Sequence, residues 1–141
     1  MGQLLVPIDG NGAQQQRALA EAIRLHRDEG AAIVLLSVQS PVNGHVASYF
    51  GRDELDRLHG DAGREELAPA RAVLAAAQVP HRALVRIGRR AETIARTAQE
   101  LGCDRIVLGS PGAAPDRWFG SLAQQVRHLL QGARGCSVIG A

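Results

Sequence analysis

Residues 81 to 109 read HRALVRIGRRAETIARTAQELGCDRIVLG, and the order of patterns inside this stretch decides the fold. The first seven residues set Ala83, Val85 and Ile87 in partial alternation with His81, Arg82, Leu84 and Arg86, as in a strand near a sheet edge. The period then changes. Ala91, Ile94, Ala98 and Leu101 fall on one face of a helix, and Gly102 closes it. Residues 104 to 109, DRIVLG, form a short apolar run of the kind that is buried on both faces of a sheet. Strand, helix and strand in immediate succession make a βαβ unit with parallel strands.

The same alternation extends in both directions. Upstream, residues 3 to 8 (QLLVPI) are a second buried strand, ended by the turn residues Asp9-Gly10-Asn11-Gly12. A helix follows from Ala13 to Glu29, with Leu19, Ile23 and His26 on one face and Gly30 as its stop. Residues 31 to 38 (AAIVLLSV) are a further strand, and residues 39 to 52, with Ser40, Pro41, Asn43, Gly44 and Gly51, are a polar connector. Residues 53 to 78 have a helical pattern interrupted by Gly60, Gly63 and Pro69. An interior proline costs about 3 kcal/mol, so the expectation is a broken or kinked helix, or two shorter ones. Downstream of the βαβ unit, Leu122, Val126, Leu129 and Leu130 mark a last helix, and CSVIG at 136 to 140 a fifth strand. The chain therefore reads as one α/β domain over residues 1–141, a doubly wound parallel sheet of five strands with helices on both faces.

Composition narrows the function. Apolar residues are 45% of the 141 and aromatics 3%, so the core is built from Ala, Val, Ile and Leu. All 16 basic residues are arginine, which removes a Walker lysine and any Schiff-base lysine. The net charge is only +2 and the arginines are dispersed, which argues against nucleic acid as a partner. Cys103 and Cys136 form no CxxC pair and are expected to be buried and reduced. No apolar run approaches the roughly 18 residues a membrane span needs, and no signal-peptide pattern opens the chain. The expectation is a cytoplasmic protein without a membrane partner.

Catalytic and metal motifs are weak. His26, His45, His59, His81 and His128 are scattered, with no HxH, HExxH or zinc spacing, and Ser48 and Ser110 lack a GxSxG elbow. Gly10-Asn11-Gly12-Ala13-Gln14-Gln15 approaches GxGxxG, but Gln15 stands at the third glycine and Gln39 or Ser40 where a ribose-binding acid is needed. There is no HxGH run and no SGGxDS loop for adenylyl transfer. These absences point away from an enzyme, with slow ATP hydrolysis as the enzymatic alternative.

Ligands of an open α/β sheet settle beyond the carboxyl ends of the strands, where the winding reverses. With a strand order of 3-2-1-4-5, that crevice lies between Asp9 and Gly109, at the two most glycine-rich junctions of the chain. The second junction runs from Gly109 to Ser121, where glycines permit close approach to phosphate and Ser121 can cap the helix that follows. Asp9 has a plainer reading as well, an Asx turn at a strand end.

Taken together, LLVPIDG, LLSV, VRIGRRAETIARTAQELGCDRIVLGS and a loop ending in GS before a helix resemble the universal stress protein family over nearly the whole chain. The resemblance implies the 3-2-1-4-5 sheet of the adenine nucleotide alpha hydrolase-like type and, in one branch, ATP held by a G-x2-G-x9-G-[ST] loop. By position it assigns Pro7 to the nucleotide site, Asp9 to the ribose or adenine end and the Val38 backbone to the base. Gly109, Gly112, Gly120, Ser121 and Leu122 would hold phosphates and ribose, with Mg2+ as a candidate companion. It also implies a homodimer through the last strand, at Val138 and Ile139, and a regulatory, non-catalytic role in the stress response with a protein partner yet to be identified. The alternative within the family is a nucleotide-free dimeric interaction module. That alternative has a basis in the residues. Seven residues separate Gly112 from Gly120 where the pattern has nine, a loss of up to about 7 Å of chain. Pro111 and Pro115 each remove an N–H, and Asp116 adds a negative charge.

Overall fold

In the computed structural model, residues 2–9, 12–41, 51–109, 122–131 and 135–140 are described. Five strands and four helices alternate among them: β1 (Gln3–Ile8), α1 (Gly12–Glu29), β2 (Ala32–Gln39), α2 (Arg52–Ala76), β3 (His81–Ile87), α3 (Arg90–Leu101), β4 (Arg105–Leu108), α4 (Leu122–Leu129) and β5 (Ser137–Gly140). Every pairing is parallel and the order is β3-β2-β1-β4-β5. The edge position expected for residues 81 to 87 is therefore the one they occupy.

The pleat sends alternate residues of each strand into two separate cores. Leu4, Val6 and Ile8 of β1 join Ile33, Leu35 and Val107 against Leu19 and Ala22 of α1 and Leu67, Ala70 and Leu74 of α2. Leu5 joins Val34, Leu36, Ile106, Leu108 and Val138 against Ile94, Ala95 and Ala98 of α3 and Ala123 and Val126 of α4. β1 and β2 are apolar on both faces because both faces are covered, which is why they read as continuous runs rather than alternating ones.

Two expectations fail. Helix α2 runs unbroken through 25 residues, with Pro69 inside it. Pro69 and Glu65, whose carbonyl loses its helical partner, both lie on the exposed face, where water can satisfy that oxygen. Gly63 is no breaker either: it lies on the buried face, and a Cβ there would come within 2.4 Å of the Val85 side chain, so its absence lets the helix approach β3. In α4, Leu129 was expected to face the core but is 43% exposed; the buried line is Ala123, Val126 and Leu130. Much of the polar connector, residues 42–50, lies outside the described residues.

Candidate functional site

The crevice begins with a ladder that stops early. β1 and β4 pair through Leu4–Arg105 and Leu5–Ile106 only, whereas β1 and β2 pair along all six residues from Gln3 to Ile8. Asp104 N donates to Gln3 O at 3.0 Å, so Gln3, and by the period of two Leu5 and Pro7, turn their backbone polar groups toward β4. Pro7 has no N–H to offer on that side. A proline in a central strand is tolerated here because it falls where the ladder has already ended. Pro7 thus marks the point beyond which the carboxyl ends of β1 and β4 carry no ladder.

Gly109 follows β4 on the far side of the gap. A Cβ at this position would sit 1.8 Å from the Gln14 carbonyl oxygen, so the end of β4 lies directly against the backbone of the first turns of α1. Gly109 therefore has a packing reason of its own, whatever else approaches it.

Asp9 stands at the rim, its side chain 29% exposed, with Oδ2 2.9 Å from a guanidinium nitrogen of Arg90 in the first turn of α3. Val38 belongs to the same side of the sheet as α3 and is partly buried there, and Leu122 begins α4 partly buried in the same core. Gly112, Gly120 and Ser121 lie outside the described residues, as do Pro111, Pro115, Asp116, Trp118, Phe119, His45, Ser48 and Ser110. Of the residues singled out in the sequence, Pro7, Asp9, Val38 and Gly109 come together at the ends of β1, β2 and β4.

Next to this rim is a cleft of about 540 Å3 between α3 and α4, lined by Arg89, Arg90 and Glu92 on one side and Gln124, Gln125 and His128 on the other. Arg90 is common to the cleft and to the Asp9 ion pair. On the opposite face of the sheet, the fully buried Ser37 hydroxyl donates to Glu66 at 2.8 Å and accepts from the Gln39 amide at 2.9 Å, which satisfies the last polar side chains of β2.

Sequence reasoning missed Arg90. The signal was present: two arginines open a helix, where the macrodipole disfavours cations, and Arg89 as N-cap makes no side-chain capping bond. A guanidinium in that place needs an acid from elsewhere in the fold, and Asp9 is that acid.

Among the described residues no group of three or more His, Cys, Asp or Glu could hold a metal ion, and no helix is long and apolar enough to cross a membrane. Cys103 is buried as expected, but Cys136 is only half-buried; burial pushes the Cys103 thiol up to about 11, with Cys136 and Asp104 adding to the effect, and raises Cys136 as well. Neither is an activated nucleophile.

At the other end of the sheet order, β5 is an edge strand. Ser137 N donates to Asp104 O, so Ser137 and Ile139 turn their backbone groups inward and Val138 and Gly140 turn theirs outward. The Val138 side chain is 8% exposed in the α3/α4 core, and its carbonyl accepts from Arg127 Nη2 at 3.3 Å. Ile139 packs partly against the other core.

Comparison with solved structures places this geometry among known proteins. A universal stress protein family member from Burkholderia pseudomallei is 24% identical, with a TM-score of 0.68 over 99% of this chain and 95% of that one. An Arabidopsis thaliana universal stress protein family protein with AMP bound is 16% identical, with a TM-score of 0.66 over 99% and 90%. The Archaeoglobus fulgidus universal stress protein in complex with dAMP is 18% identical, with a TM-score of 0.67 over 99% and 97%. Comparison with curated proteins gave no match. The sequence profile of the universal stress protein family matches residues 1–131, and with the 3-2-1-4-5 sheet already described, the chain belongs to the universal stress protein family.

Proposed function

We propose that this protein binds an adenine nucleotide, ATP or a related species, in the gap between the ends of β1 and β4, and acts as a regulator rather than as an enzyme. The observation that carries the reading is the early end of the β1–β4 ladder, with Pro7 and Asp9 on one side and Gly109 on the other. It is the switch point of the sheet, where ligands of such folds settle. Family members solved with AMP and with dAMP support an adenine nucleotide over other ligands. In this reading Asp9 meets the ribose or adenine end, the Val38 backbone borders the base, and Gly109, Gly112, Gly120, Ser121 and Leu122 surround the phosphates and any Mg2+.

Calorimetry with AMP, ATP and cyclic AMP tests the reading. Wild-type protein should bind at least one of them, and Asp9→Ala should weaken that binding about tenfold, the effect of losing one charge-assisted hydrogen bond. Absence of heat with all three nucleotides contradicts it.

The second reading is a nucleotide-free interaction module, favoured by the seven residues between Gly112 and Gly120 in place of nine. Both readings include a homodimer through the outward edge of β5 at Val138 and Ile139. Pairing there uses the backbone groups of Val138 and Gly140, and Arg127 must release the Val138 carbonyl for a second strand to join. Gly140→Pro removes an outward N–H while sparing the β4 ladder and should yield monomers in ultracentrifugation. An unchanged dimer mass places the interface elsewhere.

A further inference from the structure

The register of the sheet locates the Asp9–Arg90 ion pair. Ile8 lies beside Ser37, so Asp9 follows beside Val38; Gln39 lies beside Ile87, and α3 starts three residues later at Arg90. β2 stands between β1 and β3, so the bond from Arg90 to Asp9 spans the carboxyl end of β2. In the nucleotide reading the Val38 backbone borders the base and Asp9 meets the ribose or adenine end. Arg90 is thus anchored at the start of α3 and grips the acid at the end of β1.

The ionic surroundings of this bridge are specific. Arg89, the neighbouring cation, is 3.8 Å from Glu92 in its own helix turn. Arg90, at the same unfavourable helix start, is instead directed across to Asp9 at 2.9 Å. An aspartate carboxylate has about four acceptor positions, so it can take a guanidinium N–H and a hydroxyl at the same time. A bond to a planar guanidinium restricts the rotation of that carboxylate and so fixes the direction of its remaining acceptor positions.

We propose that Arg90 is a positioning residue of this site: it holds the Asp9 carboxylate toward the ribose hydroxyls and thereby sets a preference for ribonucleotides over 2′-deoxyribonucleotides. The inference rests on the nucleotide reading above and assigns its sugar selectivity. A site built to bond a hydroxyl discriminates against the analogue lacking it, since the acceptor is then left without that partner.

The test is calorimetry of the full chain with AMP and with 2′-deoxyAMP. Wild-type protein should prefer AMP by about tenfold or more, the effect of one hydrogen bond to a charged group. Arg90→Ala should bring the two affinities within about threefold of each other, and Arg90→Lys should restore most of the preference because an ammonium retains the charge. In an Asp9→Asn background, Arg90→Ala should change the ratio no further, as expected of residues acting as a unit. The Arg90 side chain is 42% exposed, so an unchanged melting temperature is the check that the fold is intact. Wild-type protein that binds both nucleotides equally, or an Arg90→Ala variant that keeps the AMP preference or binds both more tightly, overturns this inference alone. Wild-type protein that binds neither overturns this inference, and the nucleotide reading falls with it only where ATP and cyclic AMP give no heat either.

Discussion

The two ends of the β1–β4 pair behave differently, although the strands are the same. At the amino ends they are stitched: Asp104 N donates to Gln3 O at 3.0 Å, the Asp104 carboxylate accepts from Gln3 N at 2.9 Å, and Leu4–Arg105 and Leu5–Ile106 continue the ladder. At the carboxyl ends the ladder is missing, Pro7 offers no donor, and Gly109 is drawn against the backbone of α1. A parallel sheet wound in both directions must reverse somewhere, and the connections leave β1 and β4 toward opposite faces. The stitched end bears the stability of the pair, and at the other end no ladder holds the two strands together.

The largest expected effect belongs to the stitched end. Leu5 is fully buried between β2 and β4, and Leu5→Ala should destabilise the protein by about 2 to 5 kcal/mol in urea unfolding. A loss well under 1 kcal/mol would mean that the central pair is not the keystone of the core. Gly109→Ala comes next, at about 1 to 3 kcal/mol, because its new methyl meets the Gln14 carbonyl and one backbone must shift. That shift should also weaken nucleotide binding, whereas Leu5→Ala should leave the affinity of the folded fraction unchanged. Should both variants lose affinity equally, the division between the two ends fails.

Asp104→Ala should cost about 1 to 2 kcal/mol, since it leaves the part-buried Gln3 amide without its side-chain acceptor. Its effect should be confined to stability, again by urea unfolding, with no change in AMP affinity. The smallest effect is a pH dependence at the same end. Burial raises Cys103 from 9.0 to about 11, so the folded state holds this proton more tightly than the unfolded chain does. The resulting stabilisation is fully present below about pH 9 and is lost as pH rises through 9 to 11. Alkylation of native protein at pH 8 should be slower at Cys103 than at Cys136, and Cys103→Ala should flatten the fall in stability above pH 9. Rapid modification of Cys103 would contradict its burial.

How much of this could be read from the residues depends on how local the cause is. β1, β2 and β4 were legible because a strand covered on both faces is written as a continuous apolar run. Helix α2 was misread because Gly63 and Pro69 have a local meaning, helix breaking, that their positions on the buried and exposed faces overrule. Leu129 looked like core by its chemistry, but the helix phase set by Ala123, Val126 and Leu130 leaves it outside. The rim of the site was legible at Pro7, Asp9 and Gly109, since strand ends and glycine junctions mark a switch point. Arg90 was not, because its partner lies two strands away and only the assembled sheet brings them together.

The most direct test of the account is an amide chemical-shift titration of 15N-labelled protein with AMP. The account predicts that the shifts concentrate at Ile8, Asp9, Val38, Gly109 and Arg90, with Gln3, Asp104 and Arg105 at the stitched end nearly unmoved. Shifts centred on β5, or spread evenly over both ends of the sheet, would contradict it.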